Sequence, residues 1–339
     1  LRMRGRDTVP IRRNLQMILV TGSSGLIGGR LSAVLSGDGL PVRPYDMRRS
    51  PVQDVRDGAQ LRAALKDVEG VVHLAAISRV VWAEWNPFLA RQVNVGGLRT
   101  LLAAAHASPT KPWVIFASSR EVYGDAPKLP VREDATLSPL NVYARSKVAG
   151  ERLMADARAA GLTTAVCRFS NVYGAGEDHA DRLVVAFART SAHGGTLHLE
   201  GPRNVFDLTH VDDVGEGLAT LIAALRAGER LPPIHFVSGA GTSIEALANL
   251  AEEEAPNGAR IGAVVKTPRS FDVSRFVGDP RRAAKLLGWR ARTPLREGFR
   301  RLVDAFRDGA EPSRPWLPLL DQARGDGDVD AEARADRSN

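Results

Sequence analysis

The sequence predicts an α/β fold, a doubly wound parallel sheet followed by a smaller mixed α/β unit. Three observations carry this. Short apolar runs alternate with segments of helical period through the first half of the 339 residues. The first run passes directly into a glycine-rich turn and an amphipathic segment. After residue 170 the alternation loosens into shorter elements. In order, Met17 to Thr21 is an apolar run suited to a strand buried on both faces. Leu26, Ile27, Leu31, Val34 and Leu35 recur at helical spacing, and Gly37 and Gly39 close that helix. Further strands are expected at 41–46, 68–76, 111–119 and 161–170, with helices at 93–107 and about 141–160. Beyond them the pattern predicts helices near 181–193, 213–227, 243–254, 280–287 and 295–307. Short strands are expected near 196–199, 205–210 and 233–237.

Composition excludes several classes. No run of 18 apolar residues suggests a membrane span. The single cysteine, Cys167, rules out a disulfide framework within the chain, and no set of metal ligands is expected. A reducing, cytoplasmic setting fits. The net charge of +7 invites a nucleic-acid reading, but the charge is local: +8 lies in residues 260–308, while 17–259 sum to −2. No basic–aromatic interleaving accompanies it, so neither nucleic acid nor membrane is expected as a partner. Residues 1–16, basic and without an apolar core, are expected to be a disordered extension, and 309–339 a flexible tail.

The segment TGSSGLIG places Gly22, Gly25 and Gly28 after a strand and before a helix. In that context the first glycine permits a tight turn, the second a close approach to a pyrophosphate, and the third close helix–strand packing. The helix N-terminus at Leu26 and Ile27 then offers free N–H groups to the phosphates. Asp46 ends the second strand, where a carboxylate binds both ribose hydroxyls and repels a 2′-phosphate, favouring NAD over NADP. Tyr143 and Lys147 stand one helical turn apart, the spacing at which an ammonium lowers the pKa of a phenol. Ser118 and Ser119 end the fourth strand, where ligands of doubly wound sheets bind.

TGSSGLIG, Asp46, HLAA (73–76), NVGG (94–97), SSREVYG (118–124), YARSK (143–147) and RFSNVYG (168–174) occur in this order. HVDD (210–213) and GDPRRAAKLLGWRARTPLREG (278–298) follow. With this ordered set the chain resembles the extended short-chain dehydrogenase/reductases, in their NAD-dependent epimerase/dehydratase branch acting on nucleotide sugars. The resemblance implies a Rossmann-type NAD-binding domain over 17–170 and a smaller substrate-binding domain over 171–308, able to interleave with the first. It implies that Tyr143 is the acid/base, Lys147 its partner and ribose ligand, and Ser119 the hydroxyl beside the sugar O4. Asp54 and Val55 match the residues holding adenine. Leu74, Ala75 and Ala76 match the wall of the cofactor channel, and Asn94 an asparagine that orders water or the lysine. Asn171 and Arg269 match residues contacting the sugar and its diphosphate. A homodimer is common in such proteins.

Two departures matter. Where many relatives have a diphosphate-binding arginine stands Phe206, so Arg203, three residues earlier, is the expected substitute. Where dehydratases carry an acid pair, this chain has Arg120 and Glu121. A guanidinium is no general acid at neutral pH, though it can pair with Glu121 or with a substrate carboxylate. The expectation is therefore a 4-epimerase of a UDP- or other NDP-hexose, working through a transient 4-keto sugar. The alternatives are a 4,6-dehydratase or decarboxylase using Glu121, and then a non-catalytic NAD-binding regulator.

Overall fold

The computed structural model describes residues 17–176, 178–256 and 259–312. The expectations for 1–16 and for most of 309–339 lie outside these residues. The chain runs β1 (Met17–Thr21), α1 (Leu26–Gly37), β2 (Val42–Tyr45), α2 (Gly58–Ala64), β3 (Val68–His73), α3 (Val80–Trp85), α4 (Pro87–Arg91), α5 (Leu98–Ala107) and β4 (Trp113–Ser119). It continues with α6 (Val142–Ala159), β5 (Thr164–Phe169), β6 (Asn171–Tyr173), α7 (Leu183–His193), β7 (Gly195–Glu200), β8 (Val205–His210), α8 (Val211–Arg226) and β9 (Ile234–Phe236). Last come β10 (Gly241–Ser243), α9 (Ile244–Glu253), β11 (Ile261–Lys266), β12 (Arg275–Phe276), α10 (Arg281–Leu287) and α11 (Leu295–Arg307).

Six strands form one parallel sheet in the order β2-β1-β3-β4-β5-β9. Alternate residues of each strand face opposite layers, so both faces must be covered. Ile18, Val20, Val72 and Ile115 pack in one core with α1 and α8. Leu19, Val71, Val114 and Phe116 pack in the other with α2, α5 and α6. The chain leaves β1 toward β2 on one side and returns to β3 on the other. That reversal opens a crevice at the carboxyl ends of β1 and β3, the place where such sheets bind ligands.

The second unit gathers on β8, which pairs with β10, β12 and β6. Its core joins α7, α9 and α11 through Val185, Leu247 and Phe299. The two units interleave: α8 and β9 belong by sequence to the second half but complete the first sheet. The helix expected over 93–107 divides. A wider π-helical turn occupies Gln92–Gly97 before α5 begins. Asn94 there reaches across to bond Ile77 and Ser146, and Gly97 packs so closely on Val55 that a Cβ would lie 2.7 Å from its Cγ2. Such turns cluster where a local demand overrides regular winding. The sequence pattern did not announce β11, which pairs with β7 as a two-stranded parallel ribbon.

Candidate active site

The glycine loop is shaped by contact. Gly22 has φ +71°, and a Cβ there would lie 2.7 Å from the Ala75 nitrogen. A Cβ on Gly28 would press on the Gly22 carbonyl oxygen and lie 2.8 Å from Ser23 Cα. Only glycine lets the loop, α1 and the segment after β3 meet this closely. Gly25 caps α1 with no side-chain bond, which leaves the first-turn N–H groups without a capping acceptor, and Gly25, Leu26 and Ile27 line the adjoining cavity. Asp46 leaves the β2 pairing. Its carboxylate accepts from the Ser24 N–H (2.9 Å) and the Arg48 N–H (2.8 Å), which holds it against the glycine loop. Asp54 and Val55 line the far end of this cavity, about 530 Å³ in volume, and Leu74, Ala75 and Ala76 form its wall. The Asp54 carboxylate takes a two-pronged bond from Arg56.

His73 is buried. Its Nδ1 lies 2.8 Å from Thr21 Oγ1, and burial, helped by the positive charge of Lys147, pushes its pKa down to about 3. A ring that stays neutral and bonded to Thr21 braces β1 against β3 rather than moving protons. Asn94 does not reach the cleft. Its side chain is used up by Ile77 and by Ser146 Oγ (3.0 Å), so it braces the segment after β3 against α6. The resemblance gave it the ordering of water or of the lysine; its bonds go to Ile77 and to Ser146, the neighbour of Lys147 on α6.

An adjoining cavity of about 520 Å³ brings together Ser119, Arg120, Glu121, Tyr143, Lys147, Asn171 and Arg269. Ser119 ends β4, and its hydroxyl accepts from the Glu121 N–H (3.2 Å) beside Tyr143 in the same cavity. Lys147 Nζ sits 5.5 Å from the Tyr143 ring centre and donates to the Ala117 carbonyl (2.8 Å). Burial raises the Tyr143 pKa to about 12, against the Ser119 hydrogen bond that lowers it. Burial also lowers Lys147 to about 7, against the pull of Glu151 one turn away. Each ionised form is costly alone, so the two favour each other when both form.

Glu121 is already engaged. Oε1 pairs with Arg120 Nη2 (2.8 Å) and Oε2 accepts from Asn141 Nδ2 (2.9 Å). Asn141 was not singled out by sequence, yet an Asn before an apolar helix is a capping signal, and its Oδ1 does cap α6 at Ala144. Asn171 Oδ1 accepts from Arg120 Nε (2.8 Å). Arg269 is held by Asp272 (2.7 Å) at the cleft mouth. Arg203 is the correction. It is exposed in the turn before β8 and lines neither cavity, while Asn204 and Phe206 line the cleft. Gly201 (φ +72°) and the Asn204 N–H to Gly201 carbonyl bond close that turn, which leaves Arg203 in solvent. The cation nearest to α7 in the cleft is instead Arg182, unmarked by any motif and paired with Asp178 (3.0 Å).

The segment after β3 and the segment before α7 meet over the cleft. Arg79 pairs with Asp181 (2.6 Å), and Trp82 packs edge-on against His179 (4.9 Å). His210, Asp212 and Asp213 do not converge on a metal position. Asp213 accepts from the Arg292 and Thr293 N–H groups, and Asp212 pairs with Arg30.

Residues 18–237 match the NAD dependent epimerase/dehydratase family. The UDP-glucose 4-epimerase of Lacticaseibacillus casei is 29% identical over 304 residues, covering 80% of this chain and 91% of that protein. MoeE5, solved in complex with UDP-glucuronic acid and NAD, superposes with a TM-score of 0.77 at 29% identity, over 86% of this chain and 99% of that one. The UDP-glucose 4-epimerase of Thermotoga maritima, solved with UDP-glucose, gives a TM-score of 0.80 at 27% identity, over 87% and 100% of the two chains.

Proposed function

This chain belongs to the NAD-dependent epimerase/dehydratase family, and from that premise we propose that it is a 4-epimerase of a UDP-hexose. It uses NAD, and the residues present fit that group. The glycine cradle admits nothing larger at Gly22 and Gly28, and Asp46 presents a carboxylate at the end of β2. Gly25, Leu26 and Ile27 would hold the pyrophosphate, Asp46 a ribose, Asp54 and Val55 the adenine, and Lys147 the second ribose. When bound, NAD supplies the reversible two-electron oxidation of a sugar alcohol. Tyr143 takes the proton of the sugar O4 hydroxyl and later returns it. Ser119 fixes that oxygen beside the phenol, and Lys147 stabilises the phenolate. Asn171 and Arg269 face the sugar and its diphosphate. The cleft would leave the 4-keto sugar room to turn over, and bound NAD would supply both the removal of the C4 hydride and its return to the other face.

The observation that carries the epimerase over the dehydratase is the state of Glu121. Both of its oxygens are bonded, to Arg120 and Asn141, so no free carboxylate stands ready to take a C5 proton. The test is conversion of UDP-glucose in D₂O, followed by NMR. The expected product is UDP-galactose with no deuterium at C5. Deuterium at C5 with loss of water would refute the reading. The intact Tyr143–Lys147 pair argues against a non-catalytic regulator. We further propose a cytoplasmic homodimer that binds no nucleic acid. Trp85 and Phe88 are 66% and 72% exposed, an apolar patch that a second copy would cover. Light scattering at low ionic strength tests this, with a monomeric mass as the refuting outcome. Among the described residues no helix is long and apolar enough to cross a membrane.

A further inference from the structure

Side chains join the two segments that meet over the cleft. Arg79 stands just before α3 and Asp181 just before α7, 102 positions apart in the chain. Arg79 Nη2 donates to the Asp181 carboxylate (2.6 Å) and to the Asp181 main-chain carbonyl (3.2 Å). Three residues on, Trp82 meets the His179 ring edge-on, with ring centres 4.9 Å apart. These residues stand where the two cavities adjoin. Trp82 and His179 line the cavity of Asp46 and Asp54, Arg79 and Asp181 line that of Tyr143 and Lys147, and Asp178 and Arg182 line both. A roof in this place covers the point where cofactor and sugar must meet for a hydride to pass.

Two features weaken the closed contact. The Asp181 side chain is 55% exposed, so water screens its charge and the ion pair is a modest one. Arg79 Nε is buried with no acceptor. The closed arrangement therefore satisfies one side of the guanidinium and leaves a donor dry on the other, a cost that swinging into water removes. Arg79 occupies the N-cap of α3 without a side-chain bond to it, so the helix loses no cap when the guanidinium moves. A modest attraction set against an unmet donor gives two arrangements close in energy.

The chemistry needs such an element. Once C4 has lost its hydride, the sugar must leave its first contacts, rotate and take the hydride back on its other face. No covalent bond holds it in that interval. A 4-keto sugar that departs then leaves the cofactor behind as NADH. We propose that Arg79 and Asp181 are positioning residues whose contact latches the roof over the keto sugar and the cofactor between the two hydride transfers. This rests on the 4-epimerase reading above.

The experiment supplies UDP-glucose to the NAD-loaded protein and counts turnovers per inactivation. Product is followed by NMR and stranded NADH by its near-ultraviolet absorbance. Each escape converts one bound NAD to NADH and frees one UDP-4-keto-hexose, so the two must appear in equal amounts. Arg79→Met and Asp181→Asn should each lower the turnover count at least about threefold, the share of a half-exposed ion pair. The double variant should be no worse than the singles, because all three lose the same contact. The count is taken per active molecule, so a variant that folds in low yield still reports it. Release of bound NAD without sugar, followed by exchange with labelled NAD, should quicken by a similar factor. An unchanged turnover count, unchanged NAD release, or effects that add in the double variant would overturn the latch. If the wild type converts neither UDP-glucose nor UDP-galactose, the epimerase reading fails, and the NAD release rates alone decide for or against the latch.

Discussion

Gly28 and Gly29 are neighbours on the first turn of α1, and they should respond to alanine with opposite signs. At Gly28 the new methyl group would press on the Gly22 carbonyl and lie 2.8 Å from Ser23 Cα and 2.9 Å from the Gly22 carbonyl carbon. These are backbone atoms of the cradle and cannot swing aside, so α1 must shift away from the loop. Overpacking of this kind costs about 1–3 kcal/mol, and the shift also moves the N–H groups that face the pyrophosphate. At Gly29 the nearest atom to an added Cβ is the Ser23 carbonyl oxygen at 3.9 Å, an ordinary contact. There alanine should stabilise by about 0.5–1 kcal/mol through helix propensity. The assays are thermal unfolding of the cofactor-stripped proteins and, for Gly28→Ala, the NAD retained through purification. The expected result is a higher Tm for Gly29→Ala, and a lower Tm with lost NAD for Gly28→Ala. Equal Tm shifts for the two variants, or full NAD retention by Gly28→Ala, would refute the steric account of the loop.

Tyr143→Phe should lower kcat by about 10²–10⁴-fold, the usual worth of a positioned acid/base, while NAD content and Tm stay near wild type; a loss below tenfold would exclude the phenol from the proton transfer. Lys147 gives a stability–pH signature. Burial lowers its folded pKa to about 7 from 10.5, so the unfolded chain binds the extra proton between those values and stability should rise across that window. Thermal melts of cofactor-stripped Lys147→Met should exceed wild type most at pH 7, with the gap closing toward pH 10; a gap independent of pH would contradict the assignment. Asp213→Ala should lower stability by roughly 2–5 kcal/mol, because the Arg292 and Thr293 N–H groups lose their acceptor in a half-buried place. Urea titration with an unchanged midpoint would show that this bond does not hold the segment before α11.

Much of the fold could be read from the residues because the decisive rules are short-range. The strand at 17–21, the turn at Gly22 and the helix from Leu26 involve neighbours within a few positions, and all appear where expected. The helix carrying Tyr143 and Lys147 likewise begins and ends within two residues of its expected bounds, capped by Asn141. Asn94 shows the limit. Its place in the NVGG motif was visible, but its partners Ile77 and Ser146 lie 17 and 52 positions away. No local pattern reveals that packing turns it from the cleft. Arg203 fails for a related reason: proximity to Phe206 along the chain does not survive a turn that sends alternate side chains to opposite sides.

By itself the sequence determined the class of fold, the glycine cradle and the one-turn spacing of the Tyr143–Lys147 pair, since each depends on backbone geometry within a single element. Only the tertiary structure decided which partners Glu121 has, and which cations line the cleft. The partners that occupy Glu121 are Arg120, beside it in the chain, and Asn141, brought from 20 positions away by the packing of α6 on β4. A carboxylate's chemistry is set by the charges and donors within a few ångströms. Those neighbours are assembled by the folding of distant segments, so they are written in the sequence only collectively.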